Sequence, residues 1–141
     1  MIHLMSIKEA ERNQVNPLHT HCISPYLNAG HFLAPPRAWL ESLIAGEMRW
    51  NFFRLRYKNL LRNRYRDDPQ AFFELLEDSE SFRAVYLTCH CLTSHCHREV
   101  AGEFLEQLRE RRPYQDWRRL RHPQLGPMED LWHVGLLQQA Q

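Results

Sequence analysis

Long apolar runs are missing from this chain. None of its 141 residues belongs to a stretch approaching the roughly 20 needed to cross a bilayer as a helix. Residues 1–9 lack the long apolar core of a signal peptide, so a cytosolic protein is expected. A surplus of one charge is missing as well. Eighteen Lys and Arg stand against 17 Asp and Glu, a formal net charge of +1, which makes no global case for nucleic acid or an anionic membrane. There is no internal repeat and no low-complexity segment, and this length is most economically one domain. The four cysteines lack the spread spacing of a secreted disulfide framework. In the cytosol, cysteines more often bind metal or do chemistry.

What is present is concentrated. Segment 89–98, Cys-His-Cys-Leu-Thr-Ser-His-Cys-His-Arg, holds three of the four cysteines and three of the nine histidines. It follows the most strand-like run, 82–89, and opens an amphipathic helix expected over 99–111. Ligands and reactive groups gather at such strand-to-helix corners in α/β proteins.

Elsewhere, short strands are expected at 2–7 and 19–23, with a turn-rich loop at 24–36. Pro36 fits the first position of a helix over 37–45 that Gly46 terminates, with Trp39, Leu40, Leu43 and Ile44 as its buried face. A long helix is expected over 47–66, burying Trp50, Phe53, Tyr57, Leu60 and Leu61. Asp68 caps a third helix with Pro69 at its first position, through residue 78, burying Phe72, Phe73, Leu75 and Leu76. In the helix after the Cys/His segment, Val100, Ala101, Phe104, Leu105 and Leu108 form one stripe. Trp39, Trp50, Phe53 and Phe72 read as core. Residues 114–121 and a last helix at 128–139 make a C-terminal extension, packing through Trp117, Leu131 and Trp132. The expectation is an α/β domain over 1–112, with a small, mostly parallel sheet flanked by helices, and an appended helical part over 113–141.

Three chemistries suit the corner. A zinc ion takes four thiolate or imidazole ligands, and Cys89, Cys91, Cys96 and His97 have that chemistry. Cys89 and Cys91, two apart on an extended segment, face the same way. Cys22, beside His19 and His21, adds ligands if a parallel sheet brings its strand end to the same corner. The spacing matches no standard zinc signature, and the competing reading makes Cys89 and Cys91 small buried hydrophobes. The second chemistry is a reactive thiol. Cys96 lies at a helix start, where amides and the dipole favour a thiolate, with His95, His97 and Arg98 nearby. Cys96 and Arg98 are then the catalytic candidates. Cys91 to Arg98 is one residue too long for a Cys-x5-Arg phosphatase loop, whereas thiol–disulfide exchange between Cys91 and Cys96 stays open. The third is an anion site, in which Thr93, Ser94 and Arg98 with the helix amides hold a nucleotide or nucleic-acid phosphate. Its competitor has Ser94 as a cap and Arg98 paired with Glu99 or Asp78. Zinc is the cofactor this donor set admits, and the residues name no other.

Arg54, Lys58, Arg62 and Arg66 share one helix face. Such a row is either a solvated face or a phosphate-backbone footprint with Tyr57 and Tyr65 stacking. A small molecule or nucleic acid are thus the partners to weigh; a membrane is not.

The stretch from about Trp39 to Leu108 resembles the domain-of-unknown-function 488 family. The resemblance is carried by Trp50-Asn51-Phe52-Phe53-Arg54-Leu55-Arg56-Tyr57, by Val85-Tyr86-Leu87-Thr88-Cys89, and by Cys96-His97-Arg98 opening a helix. The opening Ile2-His3-Leu4-Met5-Ser6 is similar to the family's first strand. The resemblance implies a Rossmann-like sheet and no settled activity. The chain departs from the family pattern in having His21-Cys22-Ile23-Ser24 where an Asp-Arg type of signature is usual.

Overall fold

The computed structural model describes residues 1–81, 84–89 and 96–123. The chain divides into two compact units, Met1–Glu106 and Gln107–Gln141. It is an α/β protein, mostly helical, with a three-stranded parallel sheet and six helices among the described residues. The strands are β1 (Ile2–Ser6), β2 (Thr20–Cys22) and β3 (Val85–Cys89). Their order is β1-β3-β2, so the apolar run Val85-Tyr86-Leu87-Thr88-Cys89 lies in the centre. A central parallel strand is covered on both faces, which is why this run is almost continuously apolar. Ser6 is in register with Cys89 and Cys22 with Thr88, so all three strands end at one edge.

The first strand stops at Ser6, one residue earlier than expected, because Ser6 caps a helix the apolar pattern did not reveal. This is α1 (Ile7–Arg12). The Ser6 hydroxyl accepts from the Glu9 amide at 3.1 Å and donates to the Glu9 carboxylate at 3.3 Å. The Ser-x-x-Glu spacing is the signal that could have found it. A single 3-10 turn (Pro17–His19) then leads into β2.

Helix α2 (Arg37–Ile44) starts after Pro36 and is closed by Gly46 at φ +78°, a conformation that costs a Cβ-bearing residue energy. Its apolar face is narrower than expected. Leu40 is buried, Trp39 and Leu43 are half-buried, and Ile44 is 77% exposed. The following helix, α3 (Trp50–Asp67), begins three residues later than the periodicity suggests. The reason is local: the Glu47 and Met48 amides both bond to the Ser42 carbonyl, finishing α2 instead.

Asp68 alone separates α3 from α4 (Pro69–Ser81), which extends past residue 78. Phe53, Tyr57 and Leu61 of α3 and Phe72, Phe73, Leu75 and Leu76 of α4 are buried as expected, while Trp50 and Leu60 are half-buried. Each large side chain removed from water contributes about 1.5–3 kcal/mol. Tyr65, Phe72 and Phe104 meet edge to face, joining α3, α4 and α5 (His97–Arg109). Val100, Ala101, Leu105 and Leu108 are the buried stripe of α5, with Phe104 half-buried.

In the second unit, α6 (Arg112–Arg121) carries Tyr114 stacked on Trp117, with Arg121 over the Trp117 ring. The expected helix at 128–139, with Leu131 and Trp132, lies outside the described residues. Among those described, no helix is long and apolar enough to cross a membrane.

Candidate functional site: a Cys/His cluster at a strand-to-helix corner

Cys89 is the last residue of β3, and Cys96 immediately precedes α5. Helix α5 starts two residues earlier than expected because Cys96 serves as its cap. The Cys96 carbonyl accepts from the Glu99 amide at 3.0 Å, and its sulfur accepts from the Arg98 amide at 3.4 Å. His97 and Arg98 therefore lie in the first turn, with His97 turned inward and 1% exposed.

The result is a compact donor set. The ligand atoms of Cys89, Cys96 and His97 all lie within 4.8 Å of one another, and all three residues are buried. The two sulfurs are 3.1 Å apart, and Cys96 Sγ is 3.8 Å from His97 Nδ1. His97 Nε2 lies 2.8 Å from the Ile23 carbonyl. A carbonyl only accepts, so Nε2 carries a proton, and in the neutral ring the lone pair is then on Nδ1, the nitrogen facing the sulfur. Fixing the far nitrogen in this way is how proteins preset a ligating histidine.

Tyr57 backs the cluster. Its ring meets His97 edge to face at 6.2 Å, and its hydroxyl donates to the buried Leu33 carbonyl. Burial pushes the phenol up, the Arg64 guanidinium pulls it down, and the Cys96 and Cys89 thiols push it further up. Arg64 Nη1 donates to the Phe32 and Ala34 carbonyls at 2.9 and 2.6 Å, pinning the same loop. Burial lowers the Arg64 pKa, against the opposing effect of Tyr57.

Cys22 does not join this set. In a parallel sheet, residues in register share a face and neighbours along a strand alternate. Cys22 is in register with Thr88, so it faces away from Cys89. It lines instead a cleft of about 470 Å³ with Ile7, Glu11, Leu27, Asn28 and Thr88. His21 is on the Cys89 side, but its Nδ1 meets His31 Nε2 at 3.0 Å. The Leu33 amide donates to His31 Nδ1 at 3.0 Å, so His31 is neutral with its proton on Nε2, pointing at His21. Burial first, then His21 and Arg64, hold the His31 pKa down to about 4. Burial lowers His21 as well, partly offset by Asp78. His31 was not singled out in the sequence, and no periodic pattern marks it. His19 lies on the 3-10 turn before β2. Cys91, Thr93, Ser94 and His95 lie outside the described residues.

The basic row is partly neutralised. Arg54 and Lys58 both pair with Glu103 of α5 at 2.9 and 3.2 Å, while Arg62 and Arg66 bond Asn59 and Asn63. Two of the amides an anion would use at the start of α5 are already taken by Cys96.

A family model, the active DUF488-N3 subclade, matches residues 30–109. That stretch is more than half of the chain and contains Cys89, Cys96 and His97. The chain belongs to this family. The family's function is unknown. Strands β1 and β2, and Cys22 with them, precede the matched segment. No curated protein and no solved structure matches the chain.

Proposed function

We propose that Cys89, Cys96 and His97 hold a divalent metal ion, with zinc best suited to two thiolates and an imidazole. The observation that carries this reading is the convergence of three buried donor atoms within 4.8 Å. The Ile23 carbonyl supports it by leaving the lone pair of His97 on the nitrogen that faces the sulfurs. Among the described residues the cluster offers three protein ligands, and because zinc is four-coordinate a fourth ligand completes the set. Two thiolates next to one imidazole also fit a cytosolic, reducing setting.

Elemental analysis of protein purified without chelators should find equimolar metal. His97→Ala and Cys96→Ala should weaken zinc binding by more than about 100-fold, since removal of even an outer partner costs 10–100-fold. Cys22→Ala, on the opposite sheet face, should retain the metal. Protein that arrives without metal and fails to take up zinc or cobalt(II) would refute the reading.

A further inference from the structure

The two sulfurs of the cluster are closer than one bound ion would hold them. Tetrahedral zinc with sulfurs at about 2.3 Å separates them by about 3.8 Å. A disulfide brings them to about 2.05 Å. The observed 3.1 Å lies between the two. A move of about 0.7 Å apart gives the metal geometry, and about 1 Å closer gives the bond. We propose that Cys89 and Cys96 are a redox pair, which a small hydroperoxide oxidises to a disulfide that excludes metal from the site. The exclusion of metal rests on the function proposed above; the disulfide rests on the sulfurs alone.

The two thiols are not equivalent. Cys96 immediately precedes α5, and the Arg98 amide donates to its sulfur at 3.4 Å. Cys89 closes β3 and lies within reach of Cys96 Sγ. In the first step the Cys96 thiolate attacks one peroxide oxygen. An S–O bond forms and the O–O bond breaks. The departing oxygen takes up the proton that Cys96 had released, giving water from hydrogen peroxide or an alcohol from an alkyl hydroperoxide. In the second step the Cys89 sulfur attacks Cys96. The S–S bond forms, the S–O bond breaks, and hydroxide leaves as water with the proton from Cys89. Two thiols lose two electrons in total, and the peroxide gains them. Both side chains are at most 1% exposed, so hydrogen peroxide is the oxidant of suitable size.

The test uses the full-length protein, reduced and stripped with a chelator, then exposed to equimolar hydrogen peroxide. Peptide mapping without reductant should find Cys89 joined to Cys96, two hydrogens lighter than the thiols and reversible with dithiothreitol. Zinc binding after oxidation should fall at least about tenfold, because the ligands must be thiolates. Cys89→Ser should stop at a sulfenic acid on Cys96, trapped by dimedone. A bridge to Cys22 or Cys91, or intact Cys89 and Cys96 thiols while Cys22 oxidises, overturns the redox pair. The wild-type map decides this even if the variant fails to fold. Protein that binds zinc yet forms no Cys89–Cys96 bond retains the metal site and loses the redox pair. Protein that forms the bond but never binds zinc retains the pair and loses the metal function.

Discussion

Replacing Tyr57 by Phe removes one oxygen from the centre of the molecule and nothing else. Tyr57 and Leu33 are both fully buried, and the hydroxyl donates to the Leu33 carbonyl. The ring remains, so the apolar area and the edge-on contact with His97 are kept. What is lost is the hydrogen on a carbonyl that water does not reach. A buried acceptor deprived of its donor costs about 1–3 kcal/mol. For a chain of this size that corresponds to a fall in Tm of about 3–9 °C. Urea denaturation should show a lower midpoint with an unchanged slope, because the surface exposed on unfolding stays the same. Tyr26→Phe is the control: Tyr26 is 41% exposed, and the change should stay within about 0.5 kcal/mol of wild type. The effect should also reach the site. Leu33 and Ile23 flank one loop, and the Ile23 carbonyl orients His97, so a looser loop should weaken zinc binding in Tyr57→Phe. A variant as stable as the control, with unaltered zinc affinity, would refute the reasoning.

Two further predictions concern pH. His31 is held to about 4 in the folded chain against an ordinary 6.5. The unfolded chain therefore takes up this proton first, and stability should fall as pH drops from 6.5 towards 4; His31→Asn should flatten that fall in denaturation curves, and an unaltered slope would count against the pair. For Glu103 the hydrogen bond from Arg54, assisted by Lys58, lowers the carboxyl below its ordinary 4.5. That stabilisation is present above the ordinary value and is lost as pH falls through the lowered one. Because the Glu103 side chain is 38% exposed, Glu103→Gln should cost only about 0.2–1 kcal/mol at neutral pH. The difference should shrink in high salt and in acid; a salt-independent cost would point to packing instead.

Helices α3, α4 and α5 and the central strand were legible because each carries a dense apolar pattern that must be buried. Their boundaries were legible where the backbone demands a particular residue, as at Gly46 and Pro69. Helix α1 was not, because it buries none of its own residues and so has no stripe to read. Its one signal is the Ser6–Glu9 cap. Ile44 continues the period of α2 but ends in solvent, because periodicity states which residues share a face and not how wide the covering surface is.

The site divides along the same line. The Cys/His segment, its place after a strand, and the helix that follows are properties of the chain itself, since local composition and periodicity determine them. Which cysteines meet is not. Whether Cys22 points towards Cys89 or away depends on the parity of one sheet register, and the register is set by how a whole strand buries one face. His21 paired with His31, and Arg54 and Lys58 on Glu103, are likewise results of packing between elements distant in sequence. The meeting of Cys89, Cys96 and His97 required the end of β3 and the start of α5 to close on each other, with Ile23 of a third segment orienting the imidazole. The sequence by itself thus determined the donor types and the corner. Only the tertiary structure decided which donors face one another, because that choice rests on strand register and helix docking rather than on any local preference of the chain.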